Sequence, residues 1–192
     1  MKLGVGQFLR DLHGRRYRFR QAIGGAFGVC LVVLARPSEW GTPIGLALII
    51  VGVLVRLWAA GLVLKSRRLA THGPYAFVRH PQYLGNTLVA IGLCLATGYV
   101  AAIAIWAAIF YLFYLPAIRR EDAKLARRFG AEWLDWRRRT PAVVPSRWPS
   151  LNPGLDLREW SPGRALRNGE FIWVFFLASG VSYLCWLRLV SS

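Results

Sequence analysis

Apolar residues in this chain fall into four long runs, separated by stretches rich in basic residues, prolines and glycines. The runs cover residues 22–35, 44–64, 84–116 and 171–190. A helix that crosses a bilayer needs about 20 predominantly apolar residues, so the first run must borrow from its flanks to cross. The pattern predicts an all-α integral membrane protein.

The run 84–116 is too long for a single crossing. As one helix it would extend about 50 Å, whereas the hydrocarbon core is about 30 Å thick. Thr97, Gly98 and Tyr99 interrupt it near its middle. We therefore predict a short helical hairpin that turns at Gly98 near the far interface. Small residues would let its two arms pack closely; they are Gly85, Ala90, Gly92, Ala96, Ala101, Ala104 and Ala108.

Residues 118–139 differ from the apolar runs because they carry charges at most positions. Leu125, Phe129, Trp133 and Trp136 nevertheless recur at helical spacing within them. This pattern predicts a cytoplasmic amphipathic helix that lies on the bilayer surface or caps the helix bundle.

The C-terminal part of the chain differs in composition. Residues 140–169 contain five prolines and several basic residues, which predicts an irregular basic linker. Residues 171–190 then form a last crossing. We expect a membrane core at residues 1–145, followed at residues 146–192 by the proline-rich linker and an additional C-terminal transmembrane helix.

Charge sets the predicted orientation. A net charge of +16 accompanies a mean hydropathy of +0.37, and soluble domains rarely combine the two. All of the 25 lysines and arginines except Arg36, Arg56 and Arg188 fall in the segments that five crossings would leave inside. The positive-inside rule then favours five transmembrane helices with the N-terminus inside, and we expect a prokaryotic cytoplasmic membrane. Nucleic-acid binding is disfavoured, because its usual footprint is one charged face on a folded domain.

Two features of the first half leave alternatives open. The N-terminal region could be a signal peptide, but Arg36 and Pro37 follow where a small-residue cleavage site would stand, so we expect a retained span. Arg56 interrupts the second apolar run. A charge at that depth is costly, so it should face protein or a cavity, or else extend its side chain to the inner interface.

The cysteines and histidines do not form a metal-binding pattern. Cys30, Cys94 and Cys185 each lie inside an apolar run, and His72 and His80 have no third ligand beside them. We therefore expect neither a disulfide framework nor a metal site.

The stretch GPYAFVRHPQYLG, residues 73–85, places polar side chains between two apolar regions. Pro74 and Pro81 interrupt regular structure, so the stretch should form a rigid turn at the membrane boundary. Such a turn can hold a polar ligand, or it can be a connector whose Arg and His meet lipid phosphates. Glu121 and Asp122 are the first acids after the hairpin and should emerge beside His80.

Two motifs around the hairpin carry a family resemblance. GPYAFVRHPQYLG is the first, and EDAKLARRFGAEWLDWRRRTPAVVP, residues 121–145, is the second. Together they resemble the membrane methyltransferases typified by isoprenylcysteine carboxyl methyltransferase and the related phospholipid N-methyltransferases. The resemblance covers about residues 54–145.

The resemblance implies use of S-adenosylmethionine. It implies that this cofactor binds in one nucleoside-sized chamber formed by the 73–85 loop and the start of the amphipathic helix. The chemistry of these side chains is compatible with the cofactor, because an acid can take its amino or ribose groups and a cation its carboxylate. The residues expected to bind the cofactor are Leu69, Ala70, Tyr75, Arg79, His80, Pro81, Gln82, Tyr83 and Glu121.

The chain departs from the family pattern at two positions. The prenylcysteine enzymes carry an arginine for the substrate carboxylate four residues before the first acid, where this chain has Ala117. Arg119 and Arg120 are the nearest candidates to replace it, so we expect Arg119, Arg120 and Glu121 to be the catalytic residues. Asp122 stands where the family has a second Glu.

We therefore expect methyl transfer to a lipophilic acceptor at the inner membrane interface. The leading acceptors are the carboxyl group of a prenylcysteine-like molecule and the amine of a phospholipid headgroup. Two alternatives stay open at this point. One is a non-enzymatic membrane scaffold whose basic loops hold anionic lipid, and the other is a nicotinamide-dependent membrane reductase of related architecture.

Overall fold

The computed structural model describes residues 5–62, 69–145 and 160–191, and every regular element within these ranges is helical. Lys65, Arg67, Arg68 and residues 146–159 of the predicted linker lie outside the described residues. The helices in chain order are α1 (Val5–Val33), α2 (Gly41–Leu62), α3 (Pro74–Phe77), α4 (Pro81–Ala96), α5 (Ala102–Ile109), α6 (Leu115–Arg139), α7 (Pro162–Arg167) and α8 (Glu170–Ser191).

Length and hydropathy confirm the expected all-α membrane fold. In the described part of the chain, three helical stretches are long and apolar enough to cross a membrane: Gly41–Leu62, Ala102–Arg139 and Trp173–Val190. Phe19–Val33 is a shorter apolar helix, and α4 has 16 residues. The direction of the crossings stays a prediction.

The hairpin turns where the sequence places it. Helix α4 ends at Ala96, and Gly98 adopts a φ of 80°, which L side chains rarely adopt. A Cβ atom on Gly98 would also collide with the carbonyl oxygen of Arg36. The Arg36 amide in turn donates to the Thr97 carbonyl at 2.9 Å. The tight turn therefore packs against the loop after α1. Only five residues, 97–101, separate α4 from α5.

Helix α4 packs most extensively against α2, not against the second arm of the hairpin. A Cβ on Gly52 would come within 2.8 Å of the Gly85 carbonyl oxygen, and a Cβ on Gly92 within 2.6 Å of the Gly45 carbonyl oxygen. The two backbones approach so closely because glycines face each other at both levels.

The predicted packing of the small residues between the two hairpin arms is therefore wrong. Gly85, Gly92 and Ala96 of α4 line its contact with α2, and Ala90 packs in a cluster with Trp106, while Ala104 and Ala108 on the other arm are exposed. The second arm buries Ala102 and Trp106 instead. Small residues permit close contact with any neighbouring helix. In this structure, the glycines of α4 face glycines of α2.

The second arm continues directly into the amphipathic helix. A π-helical turn at Phe110–Tyr114 joins α5 to α6 and carries the buried Tyr114. At Gly130 the backbone leaves helical geometry with a φ of 52°, which redirects the last part of α6. Trp133 and Trp136 are then buried beside the C-terminal end of α2, so the predicted apolar stripe is confirmed as a cap on the bundle.

The described residues after 159 form a second cap on α2. Trp160 Nε1 donates to the Leu57 carbonyl at 3.1 Å, and Arg164 Nε donates to the Gly61 carbonyl at 2.7 Å. These two bonds hold Trp160 and α7 against the C-terminal part of α2. The prediction of an irregular linker is wrong for residues 162–167, which form α7.

Arg56 faces protein, which was one of the two alternatives predicted for it. Its Nε and Nη2 atoms donate to Glu170 Oε2 at 3.0 and 2.8 Å, and its Nη1 donates to Asn86 Oδ1. Glu170 is the first residue of α8, so this ion pair joins the C-terminal helix to α2.

Candidate functional site

The 73–85 loop folds as a compact turn whose side chains are largely buried. Gly73 has a φ of 59°, which a side chain would strain, and it leads into the single helical turn α3. Val78 returns to extended geometry, and His80 occupies the cap position before Pro81 begins α4. The two prolines thus start two helices, as their fixed φ angles favour.

Three hydrogen bonds tie this loop to the end of α6. The backbone amides of Arg79 and His80 donate to the carbonyls of Pro141 and Ala142 at 2.8 and 2.9 Å. Arg79 Nε donates to the Thr140 carbonyl at 3.0 Å. The two sequence motifs are therefore in direct backbone contact.

A carboxylate network lies where the loop meets α6. His80 Nε2 lies 2.8 Å from Asp122 Oδ1, and Arg79 Nη1 lies 2.7 Å from Asp122 Oδ2. His80 Nδ1 lies 3.6 Å from Glu121 Oε2. The expectation that the two acids emerge beside His80 is confirmed.

Glu121 also contacts the aromatic residues of the site. Tyr83 donates its hydroxyl to Glu121 Oε1 at 2.8 Å, and Arg20 of α1 lies 3.8 Å from the same oxygen. The ring of Tyr83 meets Tyr114 edge-on with centroids 5.8 Å apart. The Glu121 side chain keeps 34% of its surface exposed, so it is the most accessible carboxylate of the network.

The surroundings of His80 favour its charged form. Burial of the imidazole is the largest single influence and lowers its pKa, but the hydrogen bonds and negative charges of Asp122 and Glu121 together raise it more. The pKa of His80 is therefore raised above its ordinary value.

The other residues predicted to bind a cofactor surround this network. Tyr75 donates to the Ala59 carbonyl at 3.5 Å, and Gln82 Nε2 donates to the Arg56 carbonyl at 3.4 Å. Leu69 is buried in the cluster that contains Tyr75, and Ala70 packs against it. Pro81 is buried at the start of α4.

The predicted catalytic arginines are less central. Arg119 is exposed and Arg120 is half-buried on α6. Arg20, Arg79 and His80 lie within 4 Å of the two acids. A catalytic role for Arg119 or Arg120 stays a prediction.

Three residues outside the predicted set belong to the network: Asp122, Arg20 and Tyr114. Asp122 had a signal in the sequence, because it follows Glu121 and matches the position of a family acid. Tyr114 lies in the apolar run before the acids, and nothing there marks it. Arg20 is one of several arginines in a basic N-terminal block, so only the fold selects it.

A cavity lies beyond Tyr114 from this network. Tyr83 and Glu121 are in direct contact, and the nucleoside-sized chamber stays a prediction. The cavity has a volume of about 410 Å³ and opens between α1, α4 and α8, with Arg56, Asn86 and Tyr114 among its lining residues. Among the residues that the structure describes, no three or more His, Cys, Asp or Glu side chains form a metal-binding group.

Comparison with known proteins identifies relatives of the region that carries this site. The sequence model of the phospholipid methyltransferase family matches residues 40–132. This range includes the 73–85 loop, the hairpin and both acids. No solved structure gives a significant match.

Curated relatives include metal-resistance proteins, protein-S-isoprenylcysteine O-methyltransferases and a delta(14)-sterol reductase. The chain is 39% identical over 127 residues to the nickel-cobalt-cadmium resistance protein NccN of Alcaligenes xylosoxydans xylosoxydans, covering 61% of this chain and 59% of the relative. It is 40% identical over 114 residues to the cobalt-zinc-cadmium resistance protein CzcN of Cupriavidus metallidurans, covering 56% and 52%. It is 31% identical over 81 residues to the protein-S-isoprenylcysteine O-methyltransferase of Schizosaccharomyces pombe, covering 42% and 34%. The chain thus spans between about a third and three fifths of the length of these relatives.

Proposed function

We propose that this chain is a membrane enzyme that transfers a methyl group from S-adenosylmethionine to a lipophilic acceptor, because the sequence model of the phospholipid methyltransferase family matches residues 40–132. The proposed site is the network around Glu121 at the inner interface. The observation that supports it most directly is the contact between the two motifs, where Tyr83 meets Glu121 and His80 meets Asp122, each at 2.8 Å.

The donor and acceptor groups of the site fit this cofactor. The indole nitrogens of Trp133 and Trp136 are buried and have no hydrogen-bond partner within the described part of the chain. Both belong to the cluster that contains Leu69 and Tyr75, two of the residues predicted to bind the cofactor. A buried N–H without an acceptor is costly, and the ring nitrogens, ribose oxygens and carboxylate of the cofactor are acceptors.

The residues of the network have separate proposed roles. Glu121 is the accessible carboxylate and would bind the amino or ribose groups of the cofactor. Asp122 holds Arg79 and the imidazolium of His80 in place, and these cations would face the cofactor carboxylate. The faces of Tyr83 and Tyr114 tolerate a sulfonium cation, as aromatic rings do.

When bound, S-adenosylmethionine supplies an electrophilic methyl group; the acceptor lone pair bonds to its carbon while the carbon–sulfur bond breaks and leaves a neutral thioether. The protein needs to align the acceptor and exclude water more than it needs a strong base. A carboxylate acceptor can attack as it is. An amine acceptor must first lose a proton, for which Glu121 or water is the proposed base.

Cations for the acceptor lie near the position of the missing family arginine. Ala117 is buried in one cluster with Tyr83 and Tyr114. Arg20 approaches the Tyr83 ring at 5.8 Å, and Arg56 lines the cavity together with Tyr114. Arg20 and Arg56 are therefore proposed alongside Arg119 and Arg120 as replacements.

Binding of S-adenosylhomocysteine tests the proposal. We expect the full chain in detergent to bind it with micromolar affinity, and Glu121→Ala and His80→Ala each to abolish binding in calorimetry. Glu132→Ala is the matched control, because Glu132 is an exposed acid on the same helix. Thermal unfolding of each variant shows whether the bundle is intact. The absence of heat with the wild type, or unchanged affinity in both site variants, would remove the proposal.

A further inference from the structure

Helix α8 is anchored to the rest of the bundle near its beginning and again well along its length. Among the α8 residues whose burial the structure describes, only Glu170 and Leu184 are buried. These two residues are about 21 Å apart along the helix axis. Between them α8 forms one wall of the cavity, which Trp173, Leu177 and Gly180 line. The middle of α8 therefore borders a cavity, not a close-packed interface.

The apolar anchor, Leu184, contributes little when a bilayer surrounds the helix. Leu184 packs in a cluster with Leu31, Ile49 and Leu93. Lipid chains are as apolar as a leucine side chain, so transfer of Leu184 from this cluster to the bilayer has no hydrophobic penalty of the kind found in water. It loses only van der Waals contacts that lipid chains partly replace.

The polar anchor is the ion pair between Glu170 and Arg56 of α2. Glu170 Oε2 accepts hydrogen bonds from Nε and Nη2 of Arg56 at 3.0 and 2.8 Å, and the two side chains keep only 6% and 12% of their surface exposed. The Arg56 guanidinium also lies 5.8 Å from the ring of Trp173, one turn into α8. Loss of one partner would leave the other as an unpaired buried charge, which is costly. The docking of α8 therefore depends mainly on this pair.

The residue before the polar anchor has the geometry of a hinge. Gly169 separates α7 from α8 with a φ of 79°, and a Cβ placed on it would meet no described atom within 4 Å. Arg164 of α7 donates to the Gly61 carbonyl of α2 at 2.7 Å, which fixes α7 in place. Asn168 donates to the Ala60 carbonyl at 2.9 Å. A glycine between a fixed element and a loosely packed helix permits a change in backbone angles there.

We propose that α8 is a lateral gate of this cavity, with Gly169 as the hinge and the ion pair of Arg56 with Glu170 as the latch. While the latch is intact, α8 lies against α1 and α2 and narrows the passage between the cavity and the bilayer. When the pair breaks, α8 turns about Gly169 and the passage widens. A tilt of about 10° at the hinge displaces Gly180, about 16 Å away along the helix, by about 3 Å.

Both charged groups of the latch retain favourable contacts in the open state. Arg56 keeps its hydrogen bond to Asn86 Oδ1 and lines the cavity, which then communicates with the membrane surface. Glu170 is the first residue of α8, where the positive end of the helix dipole stabilises a carboxylate. The two states therefore differ chiefly in one ion pair, as a ligand-independent population shift requires. The gate does not depend on the proposed function.

Distances between two spin labels in lipid nanodiscs test the gate without any cofactor. Trp40→Cys and Trp186→Cys carry the labels, because these residues precede α2 and lie on α8 and are 80% and 56% exposed. The exposed thiols are removed by Cys30→Ala and Cys185→Ala, whereas Cys94 is buried and is kept. Double electron–electron resonance on this labelled background should give one dominant distance while the latch is intact.

Neutralisation of the latch should open the gate. We expect Glu170→Gln to add a second, longer distance and to raise the ratio of open to closed molecules about 3- to 20-fold, the effect of one interhelical polar contact in a membrane. The charge swap Arg56→Glu with Glu170→Arg restores an ion pair and should return the distances to those of the background. Asp135→Asn is the matched control, because it removes an exposed ion pair with Arg139 on α6 and should change nothing.

A milder variant covers the case in which Glu170→Gln does not fold. Arg56→Lys keeps the charge but loses the planar fork of donors, so it should raise the open population by less than Glu170→Gln does. Labelling of the buried Cys94 thiol reports loss of the fold in any variant. Unchanged distances in both latch variants, a charge swap that behaves like Glu170→Gln, or an equal effect of Asp135→Asn overturns the inference.

Discussion

The network around Asp122 and the cavity beyond Tyr114 share one aromatic contact but are built in opposite ways. In the network, Asp122 receives both Arg79 and His80, and Glu121 receives Tyr83. Beside the cavity, the buried indole nitrogen of Trp106 has no hydrogen-bond partner among the described residues. The network is therefore held together by its own charges, whereas the Trp106 donor is buried without an acceptor from those residues.

Removal of Asp122 should give the largest effect in this comparison. Asp122→Ala leaves the buried Arg79 and His80 without their main carboxylate, which should cost about 3–5 kcal/mol of unfolding free energy. Denaturant unfolding in detergent measures it. Asp135→Ala is the control, because Asp135 pairs with Arg139 at an exposed position and should cost less than about 1 kcal/mol. Equal losses in the two variants would show that the network does not stabilise the fold.

Changes in helix packing should have an effect of intermediate size on the unfolding free energy. Gly52→Ala places a Cβ 2.8 Å from the Gly85 carbonyl oxygen in the contact of α2 with α4, so we expect a loss of about 1–3 kcal/mol. Gly180→Ala lies at the cavity, where the new Cβ would meet Val32 at an ordinary 3.6 Å. Its unfolding free energy should stay within about 0.5 kcal/mol of the wild type. A larger loss for Gly180→Ala would contradict the contrast between close and loose packing.

The contribution of His80 to the pH dependence of stability should be the smallest of these effects. Because its pKa is raised in the folded state, the network gains stability that is fully present below the unfolded pKa of about 6.5 and is lost as the pH rises through the folded pKa. The advantage in Tm of the wild type over His80→Gln should therefore shrink as the pH rises above about 6.5. An advantage that stays constant from acidic to alkaline pH would show that His80 does not titrate in the network.

The sequence predicted the parts of the fold that depend on local chemistry. Gly98 gives the hairpin turn because its backbone needs a positive φ, and Trp133 and Trp136 form the buried stripe because they recur at helical spacing. The approach of Glu121 to the 73–85 loop followed from the length of the hairpin. Each of these predictions depended on a pattern within one continuous stretch of the sequence.

The partner of α4 could not be deduced from one helix alone. Small residues lie on α4 and on both neighbouring helices. They permit close packing but do not determine which helix is the partner. A signal was nevertheless present, because Gly45 and Gly52 in α2 have the same spacing as Gly85 and Gly92 in α4. Comparing glycine spacings between helices would have found the contact.

The partners of the charged residues depended on distant parts of the chain. Arg20 meets Glu121 from α1, and Glu170 meets Arg56 from α8. Nothing in the sequence around Arg56 distinguishes Glu170 from the other acids. The role of the C-terminal helix in the cavity was therefore visible only in the structure.

The pairing of Arg56 with Glu170 also has a consequence for synthesis. The two residues are 114 positions apart, so the ribosome makes the cation long before its counterion. At about 5–20 residues per second, translation of that interval takes on the order of ten seconds. During that time the nascent α2 must accommodate Arg56 with water, lipid phosphate or Asn86 alone. Translation of α8 therefore ends the period in which Arg56 lacks its carboxylate partner.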